Sequence, residues 1–258
     1  MRVVSLCPSL SELVFDLGIE PTAITTWCCH PADRVGQIEK VGGTKDPKID
    51  RIVELAPDLV LMNDEENRIE DAEALRSAGI AIHSSYPKTV DDTAGMVRSI
   101  AAALGRSTEG EAIAVDIEAK AKEVREASEG RQVVRYAYLI WRKPWMAAGA
   151  DTFVSGLLDP AGGENAFPGG TTPAERYFQV SPGQIASAGI DVVLLPNEPF
   201  PFLPKHVAEL ERITGLSGDH FLLVDGERLS WHGSRTPSGI TYAAEVLDSV
   251  RRRAQTNK

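Results

Sequence analysis

The sequence predicts a two-lobed α/β protein, each lobe built on a mainly parallel sheet and the two joined by a single long α-helix. Three observations carry that expectation. Short apolar strands alternate with helical stretches. A Pro-free run rich in Ala, Glu and Lys, long enough to cross a small domain, interrupts the alternation. A helix–strand phrase on one side of that run is echoed on the other. The predicted division is residues 1–106, a bridging helix at 107–130, and residues 131–258, with the cleft between the lobes as the default ligand site.

Residues 2–6 read as a buried strand. Ser9-Leu10-Ser11-Glu12 reads as a capping box opening a helix that stops at Gly18. A short strand is expected at 22–25, a helix at 49–55, a strand at 58–62, a helix at 69–77 closed by Gly79, and a strand at 80–83. Thr108-Glu109-Gly110-Glu111 is a second capping box, followed by helix to Ser128 and a stop at Gly130. Its apolar positions make no clean stripe, as in a helix that bridges two bodies. Beyond it, strands are expected at 133–141, 191–195 and 221–224, with helices near 154–158, 207–214 and 240–252. The echo joins I-D-R-I-V-E-L-A-P-D-L-V-L-M-N from Ile49 to S-P-G-Q-I-A-S-A-G-I-D-V-V-L-L-P from Ser181. Asp58 and Asp191 occupy corresponding places, just ahead of an apolar strand.

With 43% hydrophobic and 25% charged residues, the chain is outside the disordered, collagenous and disulfide-miniprotein classes. A net charge of -10 repels phosphate backbones and anionic lipid, so no nucleic-acid partner is expected. No apolar run approaches the roughly 18 residues of a membrane span. Residues 1–8 lack a basic region followed by a secretory apolar core, which reads as cytoplasmic, with Cys7, Cys28 and Cys29 reduced.

Several phrases together resemble the cobalamin- and iron-siderophore-binding proteins of ABC uptake systems, the substrate-binding class with two α/β lobes on one helical backbone. They are the opening Arg2-Val-Val-Ser-Leu-Cys-Pro-Ser-Leu-Ser-Glu-Leu13, Val41-Gly-Gly-Thr44, Ile52-Val-Glu-Leu-Ala-Pro-Asp-Leu-Val60, Gly162-Gly-Glu-Asn-Ala-Phe167 and Trp231-His-Gly-Ser-Arg235. The resemblance covers essentially the whole chain. It implies a non-catalytic binding protein for a metal chelate, cobalamin or another corrinoid first, with no covalent cofactor. It also implies docking on a permease through one Glu on each lobe. Here those positions are Asp50 and Gly183, so the expectation is a cytosolic carrier or sensor that has lost the docking. The alternative is a periplasmic ferric-siderophore or haem-binding importer component trimmed of its leader.

Ligands of such lobes meet the loops at the carboxyl ends of strands. In the first lobe these loops offer Pro8 and Ser9 at a helix start, then Trp27, Cys28 and His30, then Asn63, Glu66 and Arg68, suited to a polar ligand edge. His30 or Cys28 is the candidate axial ligand to a chelated metal; the alternative is a small buried thiol and a His before Pro. In the second lobe they offer Trp141, Arg142 and Trp145, then Tyr177, then Glu198 and Phe200, then Trp231, His232 and Arg235. The aromatics, with Phe202, suit a planar macrocycle, and Arg142, Lys143 and Arg235 suit an anionic group. An enzyme built on Cys28 or Cys29 with His30, or on His232 with Glu198, is the competing class.

Overall fold

The computed structural model describes residues 1–256. Its elements in chain order are β1 (Val3–Ser5), α1 (Pro8–Asp16), β2 (Ala23–Ile24), β3 (Glu39–Lys40), α2 (Ile49–Leu55), β4 (Leu59–Asn63), α3 (Ile69–Ser77), β5 (Ile82–Ser85), α4 (Val90–Ala103) and α5 (Ser107–Ser128). They continue with β6 (Val134–Trp141), β7 (Met146–Ala148), α6 (Phe153–Leu158), β8 (Gly163–Asn165), α7 (Pro173–Arg176), β9 (Tyr177–Gln179), α8 (Pro182–Ser187), β10 (Val192–Pro196), α9 (Pro204–Thr214), β11 (Phe221–Val224), α10 (Gly226–Ser230) and α11 (Thr236–Thr256).

The chain divides into two compact units. The first holds residues 1–87, 91–117 and 232–235, and the second holds 88–90, 118–231 and 236 onward, so α5 contributes a half to each. Residues 232–235, expected in the second lobe, pack with the first. Among the described residues no helix is long and apolar enough to cross a membrane.

The first unit has a five-stranded sheet, order β3-β2-β1-β4-β5, parallel throughout. Its central strands are apolar on both faces, as a parallel sheet covered by helices requires. Val4, Leu6, Val60 and Met62 pack with Ile52, Ala72 and Leu75 from α2 and α3, each fully buried aliphatic side chain stabilising the unit by about 1.5–3 kcal/mol. The expected Ser9 cap is not formed: Cys7 is the N-cap and Pro8 takes the first helical position, where its missing N–H costs nothing. The α4 helix is not among the elements expected from sequence, because its Thr, Gly and paired Asp blur the apolar period.

The second unit has strand order β11-β10-β6-β7-β9 with β8 on β6. β11, β10, β6 and β8 pair in parallel, whereas β7 runs antiparallel to both of its neighbours, β6 and β9, so the expectation of a parallel sheet holds for one half of it. The hairpin between β6 and β7 turns at residues 142–145, with Lys143 at φ 67.

The echoed helix–strand phrases fold alike, and the structure explains the matched aspartates. Asp58 Oδ2 accepts the Arg2 backbone N–H at 2.6 Å while the Asp58 N–H returns to the Arg2 carbonyl at 2.8 Å. Asp191 does the same with Arg135, at 2.7 and 2.8 Å. Each aspartate thereby clamps the entry of the central strand of its sheet. Asp58→Ala and Asp191→Ala are each expected to lower stability by about 1 kcal/mol, which denaturant unfolding of the two variants measures.

Candidate ligand-binding loops

In the first unit, the carboxyl ends of β1 and β4 carry a buried polar network rather than a row of free ligand contacts. Asn63 Oδ1 accepts the backbone N–H groups of Glu65 and Glu66 at 3.0 and 3.1 Å. That fixes its amide, so Nδ2 is the donor to His232 Nε2 at 3.1 Å. The His232 proton then sits on Nδ1, which faces Ser9 Oγ at 3.3 Å, and Ser9 Oγ lies 3.3 Å from Cys7 Sγ. Burial pushes the His232 imidazole down to about 4 and the Cys7 thiol up to about 12. A neutral histidine that donates toward Ser9 is the reverse of a base that would activate it.

Asn67, which no sequence signal marked, extends the network. It accepts the Asn63 backbone N–H at 2.8 Å and donates to the carbonyls of Leu6 and Thr44, each at 2.9 Å. It ties the ends of two strands to the turn that follows β3.

The turn after β2 separates its residues sharply. Cys28 faces inward with Phe15, Ile24, Val35 and Ile38, its sulfur 3.1 Å from Ser11 Oγ and 3.2 Å from Thr25 Oγ1. That corrects Cys28 as a metal ligand: the thiol belongs to the core. Trp27 is 67% exposed, Cys29 is exposed and His30 half-exposed, and all three cysteines are free thiols.

In the second unit, Trp141 is 42% exposed at the end of β6 and meets Phe200 edge to face, centroids 5.6 Å apart. Phe200 meets Phe202 at 4.9 Å, and Phe202 stacks on Trp145 at 6.3 Å with planes 9° apart. Phe202 is only 4% exposed, and Trp145 and Phe200 pack half-buried on the same core, so these three support Trp141, the exposed member of the group. Trp231 donates from Nε1 to Glu198 Oε1 at 2.8 Å, and partial burial raises the Glu198 carboxyl above its ordinary range. Tyr177 lies half-buried on β9 instead of in a loop.

Of the cations expected to meet an anionic ligand, Lys143 is exposed and Arg142 and Arg235 are occupied, as is Arg68, expected at a polar ligand edge. Arg142 grips Glu209 through two bonds of 2.7 and 2.9 Å, which holds Glu209 below the ordinary carboxylate range. Arg235 grips Glu12 at 2.8 and 2.6 Å, and Arg68 reaches both oxygens of Asp71 at 3.2 Å. Pro8 and Ser9 start α1 as expected, but Ser9 is buried in the network, while Glu66 stays at the surface. His232 and Glu198, paired in the enzyme alternative, bond to different partners.

The periplasmic binding protein family matches residues 3–209. A vitamin B12-binding protein of Vibrio parahaemolyticus is 24% identical over 254 residues, 98% of this chain and 91% of the relative. Among solved structures, the periplasmic vitamin B12 binding protein BtuF of Vibrio cholerae superposes with a TM-score of 0.82 at 21% identity, covering 97% of each chain. The periplasmic heme-binding protein RhuT of Roseiflexus sp. RS-1, in apo form, gives the same 0.82 at 23% identity, covering 97% of this chain and 98% of the other. These likenesses carry the fold, two α/β units and a long connecting helix, and the family is one of binding proteins and not of enzymes. The chain belongs to the periplasmic binding protein family.

Proposed function

We propose that this protein is a non-catalytic binding protein for a metal chelate and that its ligand is cobalamin or a related corrinoid. The observation that carries the reading is the outward aromatic surface at the strand ends, where most of the expected cations are neutralised. Trp27 in the first unit and Trp141 in the second offer flat apolar area, while Arg68, Arg142 and Arg235 are each spent on a carboxylate. Such a surface suits a macrocycle fringed by neutral amides, whereas haem propionates call for several cations and would meet chiefly exposed Lys143 here. His30 is the candidate axial ligand to the chelated metal, and its half-exposure supports that reading.

The naming of the relatives as vitamin B12- and haem-binding periplasmic proteins supports the chelate class and the periplasmic alternative over the cytosolic carrier. A transporter partner then meets exposed Asp50 in the first turn of α2, whereas Gly183 in α8 brings it no charge. Visible-absorption titration with aquocobalamin, haem and a ferric hydroxamate tests the ligand. Saturation by cobalamin at the lowest concentration is the expected result; preferential saturation by haem overturns the corrinoid assignment, and no binding below about 100 µM, about 5.5 kcal/mol, overturns the chelate class.

A further inference from the structure

We propose that Gly43 is a positioning residue for the ligand platform: its missing side chain is the space that sets where the Trp27 indole lies. The proposal rests on the reading of Trp27 as a ligand contact and adds what holds it there. A β-carbon at Gly43 would lie 3.1 Å from Trp27 Nε1 and 2.1 Å from Asp46 Oδ1. Gly43 is buried while the indole is 67% exposed, so the ring edge covers this backbone and the rest of the ring faces outward. The neighbouring Gly42 answers a different need. It has φ +97, and a β-carbon there would meet the Asp46 carbonyl oxygen at 2.6 Å. Gly43 is outside the left-handed region, so vacancy and not backbone freedom is what this position supplies.

The turn cannot retreat from an added side chain. The Gly42 carbonyl accepts the Thr26 N–H at 2.8 Å, the Val41 carbonyl accepts the Lys48 N–H at 2.8 Å, and the Thr44 carbonyl accepts Asn67 Nδ2 at 2.9 Å. Asn67 is itself held by the Leu6 carbonyl and the Asn63 N–H. The Asp46 carboxylate, at the exposed end of a short side chain, can swing away. What remains is the indole, whose tilt changes with each atom added at residue 43. Gly43 is therefore a specificity determinant for a flat chelate face, acting through Trp27.

Protein labelled with 5-fluorotryptophan, its Trp27 resonance assigned with Trp27→Phe, reads the position of the ring directly. Gly43→Ala is expected to shift the Trp27 fluorine resonance and leave those of the other three tryptophans in place. With aquocobalamin as the probe, Gly43→Ala is expected to raise Kd about threefold and Gly43→Val more than about tenfold, and Gly43→Val is expected to add nothing in a Trp27→Ala background. An unmoved Trp27 resonance, or the same loss of affinity with and without Trp27, overturns the proposal. If the wild type binds neither aquocobalamin nor haem, the chelate reading falls, and the fluorine resonance still decides whether Gly43 places the ring.

Discussion

Replacing Trp27 with alanine is expected to weaken corrinoid binding by at least about tenfold, roughly 1.4 kcal/mol, and to leave folding stability within about 0.5 kcal/mol of wild type. The asymmetry follows from where the ring stands. An indole that is 67% exposed has little burial to lose when the chain unfolds, but ligand burial of an aromatic of 150–250 Å² accounts for a hot-spot loss of about 2 kcal/mol or more. Phe202→Ala is the opposite case. At 4% exposure, stacked on Trp145 and packed under Phe200, it is expected to cost about 3–5 kcal/mol of stability. Parallel titration and denaturant unfolding of the two variants separate presenting from supporting aromatics. Equal stability losses, or a Trp27→Ala variant that binds as wild type, contradict the assignment.

Acidification is expected to destabilise the first unit through His232. The unfolded imidazole takes its proton near the ordinary value of 6.5, whereas in the folded protein burial holds it near 4. Between those values the unfolded chain binds a proton that the folded chain does not, so stability falls as pH drops from about 6.5 to about 4, by about 3 kcal/mol in all. The geometry agrees with the sign. Protonation would put a second N–H on the ring, and Nε2–H would face the Asn63 Nδ2–H group it now accepts from. In His232→Asn this part of the pH dependence is expected to vanish while stability at pH 7 falls by about 1–3 kcal/mol, because buried polar groups lose their partners. The measurement is the unfolding free energy at several pH values for both proteins. Identical slopes for the two would show that His232 does not titrate there.

The legible parts of this protein are those governed by local rules. Helices α2 and α3 fall on the residues their apolar spacing predicts, and Gly79 and Gly130 stand beyond the ends of α3 and α5 with left-handed φ. The matched aspartates were visible as an echo, although their bonds to the entry strand, 56 residues away in each unit, were not. Of the aromatics the sequence singles out, Trp27 and Trp141 are exposed and Phe202 is buried, and the pairing of the charges is not legible at all. Nothing near Arg142 in the sequence announces Glu209, and nothing near Arg235 announces Glu12, because those partners lie 67 and 223 residues away and are set by the packing. Likewise Cys28 and Cys29 are neighbours in sequence with opposite environments. An isolated turn offers no way to tell which thiol the core will take.

Hydrogen–deuterium exchange of the protein with and without saturating aquocobalamin tests the central claim most directly. Slowed exchange is expected in the turn around residues 25–30 of the first unit and in the segments 141–145 and 197–203 of the second. Slowed exchange elsewhere, such as along the 320 Å³ groove lined by Glu123, Ala127, Thr241 and Glu245, with those three segments unchanged, would contradict it.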